Sequence, residues 1–184
     1  MMETERLRLR RWKESDAYAL YEILQDRELC EQADLPRAFT PFMAQVMIRA
    51  HLQGAECWCV ERKTDNQVLG CVEIWPSVYP FDASLQKPME LAVWFDRRIR
   101  QQGYAFEASR CLLEHAFADL KADAVYARTW FANTACIALQ EKLEMGEPVK
   151  VPFRGMYGAQ ISGGNPALLV DELRIRRAPC PDPN

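Results

Sequence analysis

From Leu7 to Trp12 apolar residues alternate with basic ones, the period of a strand with one face buried, and Ser15-Asp16 then offers an N-cap for a helix over Ala17 to Leu24. The pattern weakens between Gln25 and Pro41, with Pro36 and Pro41 as breakers, until Phe42, Val46, Ile48 and Leu52 predict a second helix ending near Gly54. Glu56 to Arg62 and Val68 to Trp75 read as a hairpin around an Asp/Asn turn at Lys63 to Gln67. Pro76, Pro80 and Pro88 bracket a long connection, either a lid or binding loop or a solvated excursion. Met89 to Phe95 forms the fourth predicted strand. Ala105, Ala108, Leu112, Ala116 and Leu120 recur at helical spacing along a third helix. Ala124 to Trp130 gives a fifth strand, Asn133 caps a fourth helix over Ala135 to Leu143, and Ala167 to Ile175 closes the series as a strand. This order predicts a mixed α/β fold, an α+β arrangement in three layers, and not a regular doubly wound sheet.

Composition narrows the picture. A chain of 184 residues, 49% hydrophobic, can bury a full core, and the expectation is one domain over residues 1–177 with a disordered tail at 178–184. A net charge of −3 argues against a general nucleic-acid binder. Of the two basic runs, Arg6 to Arg11 suits a strand with one face in water, and Arg97 to Arg100 falls where it can meet a ligand. The seven Cys lack the paired spacing of a zinc site and lie mostly in apolar runs, so no metal is expected and a reducing compartment is. No stretch approaches the roughly 20 apolar residues of a membrane span, and the N-terminus has no signal-peptide core, so the expected location is cytoplasmic.

The most informative stretch is Arg100-Gln101-Gln102-Gly103-Tyr104-Ala105, set between the strand Leu91 to Phe95 and the third helix. A tight glycine loop at a helix start gathers N–H groups without intrahelical acceptors at the positive end of the helix dipole, a place suited to phosphate. This segment fits the Gln/Arg-x-x-Gly-x-Gly/Ala pattern of the GNAT superfamily of acetyl-CoA-dependent N-acetyltransferases. The opening Glu3 to Arg10 with Asp16-Ala17, then Gly103 to Ala108, Ala127 to Thr129, Asn133 to Ile137 and Glu141 to Leu143, resemble the ribosomal-protein N-terminal acetyltransferase branch over residues 3–176.

The resemblance implies a GNAT acyl-CoA N-acyltransferase fold, with a mixed, mostly antiparallel sheet splayed between the fourth and fifth predicted strands and helices on both faces. Acetyl-CoA would enter that opening. The backbone of Val93 and Phe95 would pair with its pantetheine arm, and the N–H groups of Arg100, Gln101, Gln102, Gly103, Tyr104 and Ala105 would hold its pyrophosphate. Asn133 has two compatible roles, helix N-cap and contact with the cofactor arm.

Amide formation needs a base for the ammonium, a donor to the oxyanion and a proton for the departing thiolate. Glu90 matches a Glu of this branch and is either the base or an exposed strand-end carboxylate. Period-2 alternation puts Glu73 on the face of Leu69, Cys71 and Trp75, as a second base, a charge for the substrate ammonium or a solvated strand end. Trp75 and Trp130 are candidates for the acceptor pocket, and Val93 N–H for the oxyanion contact. Many GNAT enzymes carry a proton-donating Tyr where this chain has Gln140, and the branch has a Ser where it has Cys136. The Cys136 thiol is therefore either the donor or a packing residue. Glu144-Met145 replaces the usual Gly-Phe, leaving Gly146 as the expected helix C′ residue. His51 and His115 have no partners at ligand or triad spacing and receive no role.

The expected function is transfer of acetyl from acetyl-CoA to a primary amine, a protein N-terminus or a small molecule, by direct attack in a ternary complex, in a monomer or homodimer. A non-catalytic acyl-CoA-binding or protein-interaction domain is the alternative that Gln140 and Cys136 leave open. A nucleotide-binding protein using the same loop for another diphosphate is the third.

Overall fold

The computed structural model describes residues 1–33, 35–77, 84–130, 133–152 and 170–178. Its strands are β1 (Met2–Glu3), β2 (Leu7–Arg10), β3 (Cys57–Arg62), β4 (Val68–Pro76), β5 (Pro88–Phe95), β6 (Ala124–Trp130), β7 (Val149–Pro152) and β8 (Val170–Arg177). They form one sheet in the order β1-β2-β3-β4-β5-β6-β8-β7. Every neighbouring pair is antiparallel except β5 and β6, which run parallel. The helices are α1 (Ala17–Ile23), α2 (Arg27–Gln32), α3 (Pro41–Ala50), α4 (Tyr104–Ala118) and α5 (Thr134–Lys142). Short 3₁₀ turns at Glu14–Asp16 and Arg97–Ile99 lead into α1 and away from β5.

Helices cover both faces, as the resemblance implies. On one face Leu112, Leu113 and Ala108 of α4 pack with Leu69, Val72, Leu91 and Phe95. On the other, Leu20, Cys30 and Ile48 of the first three helices pack with Cys57, Cys59, Cys71 and Trp94. Trp12 and Trp94 stack there with ring centroids 5.8 Å apart. The four Cys of this layer are buried and free, small hydrophobes within the core.

Several expectations need correction. Helix α2 was not predicted, because six residues, four of them charged or amide, show no period of their own; Asp26 starts it by accepting from Leu29 N–H. The first basic run leaves its face in water only in part: Arg6 is exposed and Arg8 partly so, but Arg10 is buried and bonds Glu61 Oε2 at 2.7 Å and both oxygens of Asp16 at 2.7 and 2.9 Å. Asp16 is thereby drawn away from capping α1 with its side chain.

Strand β4 carries a bulge. Val60 pairs with Gly70 but Glu61 with Val68, so Leu69 is the extra residue. Leu69 therefore joins the α4 face with Val72 and Ile74, while Cys71 faces the other layer. Glu73 shares its face with Cys71 and Trp75, as predicted, but not with Leu69. Beside the bulge the main chains of β4 and β5 come so close that a Cβ on Gly70 would lie 2.2 Å from Trp94 O and 2.7 Å from Phe95 Cα. The helix α5 ends with Glu144, not Gly146, in the left-handed region at φ 56°. Met145 N–H bonds Gln140 O and Glu144 N–H bonds Glu141 O, both at 3.0 Å, which is a Schellman ending; Gly146 N–H instead bonds Ile175 O.

Candidate active site

The β5–β6 contact divides the sheet. The two strands pair from Pro88↔Ala124 to Leu91↔Ala127 and no further, although β5 runs on to Phe95 and β6 to Trp130. Beyond Leu91 the strands part, giving the fork expected at this point.

The direction of the main-chain groups along the fork follows from the other edge of β5. Ser77 N–H bonds Pro88 O and Asp96 N–H bonds Leu69 O, so even-numbered residues of β5 face β4. In an antiparallel pair the hydrogen-bonding direction alternates. Val93 and Phe95 thus turn their N–H and C=O groups away from β4, toward the opening. Leu91 and Met89 point the same way but are met by β6.

At the open end of the fork the chain turns through Arg97–Ile99 into α4. Gly103 is the N-cap residue at φ 80°, and Gln101 also has positive φ, at 62°. The first α4 main-chain bond runs from Glu107 N–H to Gly103 O, so the N–H groups of Tyr104, Ala105 and Phe106 have no intrahelical acceptor. Gly103 has no side chain to cap them. The N–H of Arg100 is different: it bonds Arg97 O at 3.3 Å, which removes it from the set predicted to meet a phosphate. Tyr104 buries its side chain, so only its main chain can contribute.

Residues far away in sequence hold this loop. Arg6 Nη1 donates to Gln102 O at 2.9 Å, its Nε to Glu107 Oε2 at 2.6 Å, and its guanidinium lies 4.6 Å from the Tyr104 ring centre. Glu107 Oε1 also accepts from Thr4 Oγ1 and from Arg6 N–H. Burial pulls the Glu107 carboxyl up, but the Thr4 and Arg6 donors outweigh it and hold the group below the usual carboxylate range. Arg6, from the run expected to be a plain strand face, is therefore the basic residue bound to the loop. Arg97 pairs instead with Asp26 and Glu28, and Arg98 with Asp96.

On the β6 side, Asn133 Oδ1 accepts from Cys136 N–H at 3.1 Å, which is the predicted N-cap of α5. Cys136 is half-buried, with Thr129 Oγ1 3.1 Å from its sulfur. Burial pushes the thiol up, and the Thr129 hydroxyl and Gln140 amide oppose that. Gln140 is buried and donates to Thr129 Oγ1. Neither Thr129 nor a structural use of Gln140 was predicted, because the contact joins a strand to the following helix and no spacing reports it.

Glu90 is not an exposed strand-end group: it is buried, accepts from Ser77 Oγ at 2.8 Å and lies one residue before the fork opens. Trp75 is directly opposite Glu90, and Glu73 is opposite Ala92. Glu73, Trp75 and Glu90 consequently share the face turned to α1 and α3, with the carboxylates on diagonal positions. Burial pushes the Glu73 carboxyl up, against a contact with Cys57 that lowers it. Glu73 and Trp75 line a cleft of about 350 Å³ with His51 and Cys57. The side chain of Trp130 lies outside the described residues, as do Pro80 and the tail beyond Ala178. His115 packs against the Trp58 ring and contacts Asp119, one helical turn on, at 2.7 Å and the distant Glu56 at 3.1 Å; the first partner stands at readable i,i+4 spacing, the second does not.

Among the described residues no cluster of three or more His, Cys, Asp or Glu side chains is placed to hold a metal, and no helix is long and apolar enough to cross a membrane. The architecture matches solved acetyltransferases. One from Bacillus anthracis superposes with a TM-score of 0.76 at 17% identity, covering 96% of this chain and 97% of that one. One from Agrobacterium tumefaciens gives a TM-score of 0.66 at 18% identity, with 96% and 93% covered. The ribosomal L7/L12 α-N-protein acetyltransferase RimL, in complex with coenzyme A disulfide-bonded to one of its cysteines, gives 0.73 at 14% identity, with 95% and 96% covered. A family model described as an acetyltransferase (GNAT) domain matches residues 6–146. With a matched domain over most of its length and a sheet that forks where that fold forks, this chain belongs to the GNAT acetyltransferases.

Proposed function

We propose that the protein transfers acetyl from acetyl-CoA to a primary amine by direct attack in a ternary complex assembled at the β5–β6 fork. The observation that carries this reading is the pair of main-chain edges at Val93 and Phe95, aimed into an opening that ends at the uncapped start of α4. These fit the two polar parts of the coenzyme. An extended amide-bearing arm pairs with a free strand edge, and a diphosphate meets the N–H groups at Gln101 to Phe106 where the helix dipole is positive. The acetyl thioester supplies the activated acyl group.

Glu90 takes the ammonium proton of the acceptor, directly or through water, with Ser77 fixing its carboxylate. Glu73 offers a second carboxylate beside it, and its partly desolvated position favours pairing with a cation that enters the cleft with it. Trp75 forms a wall of that cleft. Val93 N–H donates to the developing oxyanion, and Cys136 returns a proton to the departing thiolate. Asn133 contacts the coenzyme arm while capping α5.

Transfer of isotope from labelled acetyl-CoA to a panel of amines, including N-terminal peptides, diamines and amino acids, tests the reading. Acetylated product with at least one acceptor is expected, together with thermal stabilisation by coenzyme A and none by NAD. Coenzyme binding without transfer to any acceptor would convert the protein into a binding module, and stabilisation by NAD instead of coenzyme A would remove the fork from the account.

A further inference from the structure

Thr129, Cys136 and Gln140 form a polar group on the β6 wall of the fork, in which Gln140 uses its amide nitrogen while its buried Oε1 has no hydrogen-bond partner among the described residues. Thr129 stands two residues past Ala127, the last β6 residue paired with β5, and by alternation faces α5. Cys136 and Gln140 are one turn apart on α5 and so share a face. Gln140 Nε2 donates to Thr129 Oγ1 and lies 3.7 Å from Cys136 Sγ, while Thr129 Oγ1 is 3.1 Å from the same sulfur. Thr129 is 4% exposed and Gln140 2%. Polar side chains buried this far are costly unless their hydrogen bonds are used.

Donor counting orients the group. An amide nitrogen only donates, so Thr129 Oγ1 accepts from Gln140. Its second acceptor site and its own hydrogen allow either the hydroxyl or the thiol to donate between Thr129 Oγ1 and Cys136 Sγ, and once the sulfur is a thiolate the hydroxyl is the donor. In the arrangement that suits proton transfer the sulfur receives from the hydroxyl and the amide, and its own hydrogen is left for the fork. Resting on the reading of Cys136 as proton donor, we infer that Thr129 and Gln140 are positioning residues that aim the Cys136 S–H into the fork and hold the thiolate left behind. In the step, the Cys136 S–H bond breaks and an S–H bond forms on the leaving coenzyme. The negative charge moves to Cys136 Sγ, where Thr129 O–H and Gln140 N–H meet it, and a proton from water restores the thiol.

The test is the pH dependence of Cys136 alkylation by iodoacetamide, followed by mass on its own peptide, alongside steady-state kinetics. In Thr129→Val the alkylation midpoint moves up by about one pH unit, since the thiolate loses a donor. Turnover falls about tenfold, the size expected for one hydrogen bond to a charged group, with KM for acetyl-CoA unchanged. Thr129→Ser restores both. Gln140→Leu shifts the midpoint in the same direction and serves if the Val variant does not fold. An unchanged midpoint in both variants overturns the inference. Full turnover in Cys136→Ala overturns the donor reading and the inference with it, whereas lost turnover there with an unmoved Thr129→Val midpoint overturns the positioning role alone.

Discussion

The helices α4 and α5 start on opposite sides of the same fork, and they start differently. α5 is closed by its own chain, with Asn133 Oδ1 accepting from Cys136 N–H, as Asp26 closes α2 and Thr40 closes α3. α4 begins at Gly103, in the left-handed region and without a side chain, so the donors of its first turn stay available. Of the two helices among the described residues without a side-chain cap, α1 begins where Asp16 is held by Arg10, whereas α4 begins at the fork with a residue that has no side chain at all. The start of α4 is instead held from outside by Arg6, which bonds Gln102 O and the carboxylate of Glu107 in the first turn of the helix.

The contrast is broken most severely by Gly103→Val. A branched side chain at φ 80° is strained, its Cβ would come to 3.3 Å from Arg6 Nη2, and it would fill the approach to the first-turn donors. Coenzyme A affinity by calorimetry should fall about a hundredfold or more, equivalent to about 2.7 kcal/mol. An affinity within a few-fold of the parent would mean the α4 start is not the diphosphate site.

Next in size is the bracket. Glu107 has its carboxyl held low, so its contribution to stability is present above the unfolded carboxylate pKa of about 4.3 and is lost as pH falls through the lower folded value. Glu107→Gln should lose about 1–2 kcal/mol at pH 7 by urea denaturation and show a shallower decline of stability below pH 4. Parallel acid profiles for parent and variant would show that the carboxylate adds nothing.

Asn133 separates capping from coenzyme contact. Asn133→Ala should cost about 1 kcal/mol of stability and weaken acetyl-CoA binding, whereas Asn133→Ser keeps the cap and loses only the amide. Full affinity in the Ser variant would leave Asn133 with its capping role alone. The smallest effect is at the other end of α5, where Glu144→Gly should gain about 0.5–1 kcal/mol, because Gly takes φ 56° without a Cβ penalty. The exposed pair with Arg176 at 3.6 Å offsets little of that. A fall in melting temperature would contradict it.

What the sequence made legible was local. The alternation in Met89 to Phe95, the glycine loop and the Asn133 cap each lie within a few residues, so periodicity and motif placed the strand and both helix starts, while the fork and its edge at Val93 and Phe95 followed from the resemblance to the GNAT family. The bulge at Leu69 was not legible, since one unpaired residue reverses the facing of a strand without altering its composition. Nor was the use of Arg6: Glu107 is its partner across a separation of 101 residues, and a Leu-Arg alternation has the same pattern whether Arg meets water, a loop or a buried carboxylate. Thr129 and Gln140 were hidden in the same way, because their role depends on the tilt of α5 over β6. Glu144 was passed over because Gly146 has the better intrinsic preference for a left-handed turn, and the Met145 side chain, buried at 4% exposure, decided the helix end instead.

Residue-resolved amide hydrogen exchange with and without coenzyme A tests the fork most directly. The account predicts slowed exchange at Val93 and Phe95 and across Gln101 to Phe106, with Leu91, already paired to β6, unchanged. Slowing confined to the outer groove between α4 and α5, around Arg110, Phe117 and Lys142, with Val93 and Phe95 exchanging as before, would contradict it.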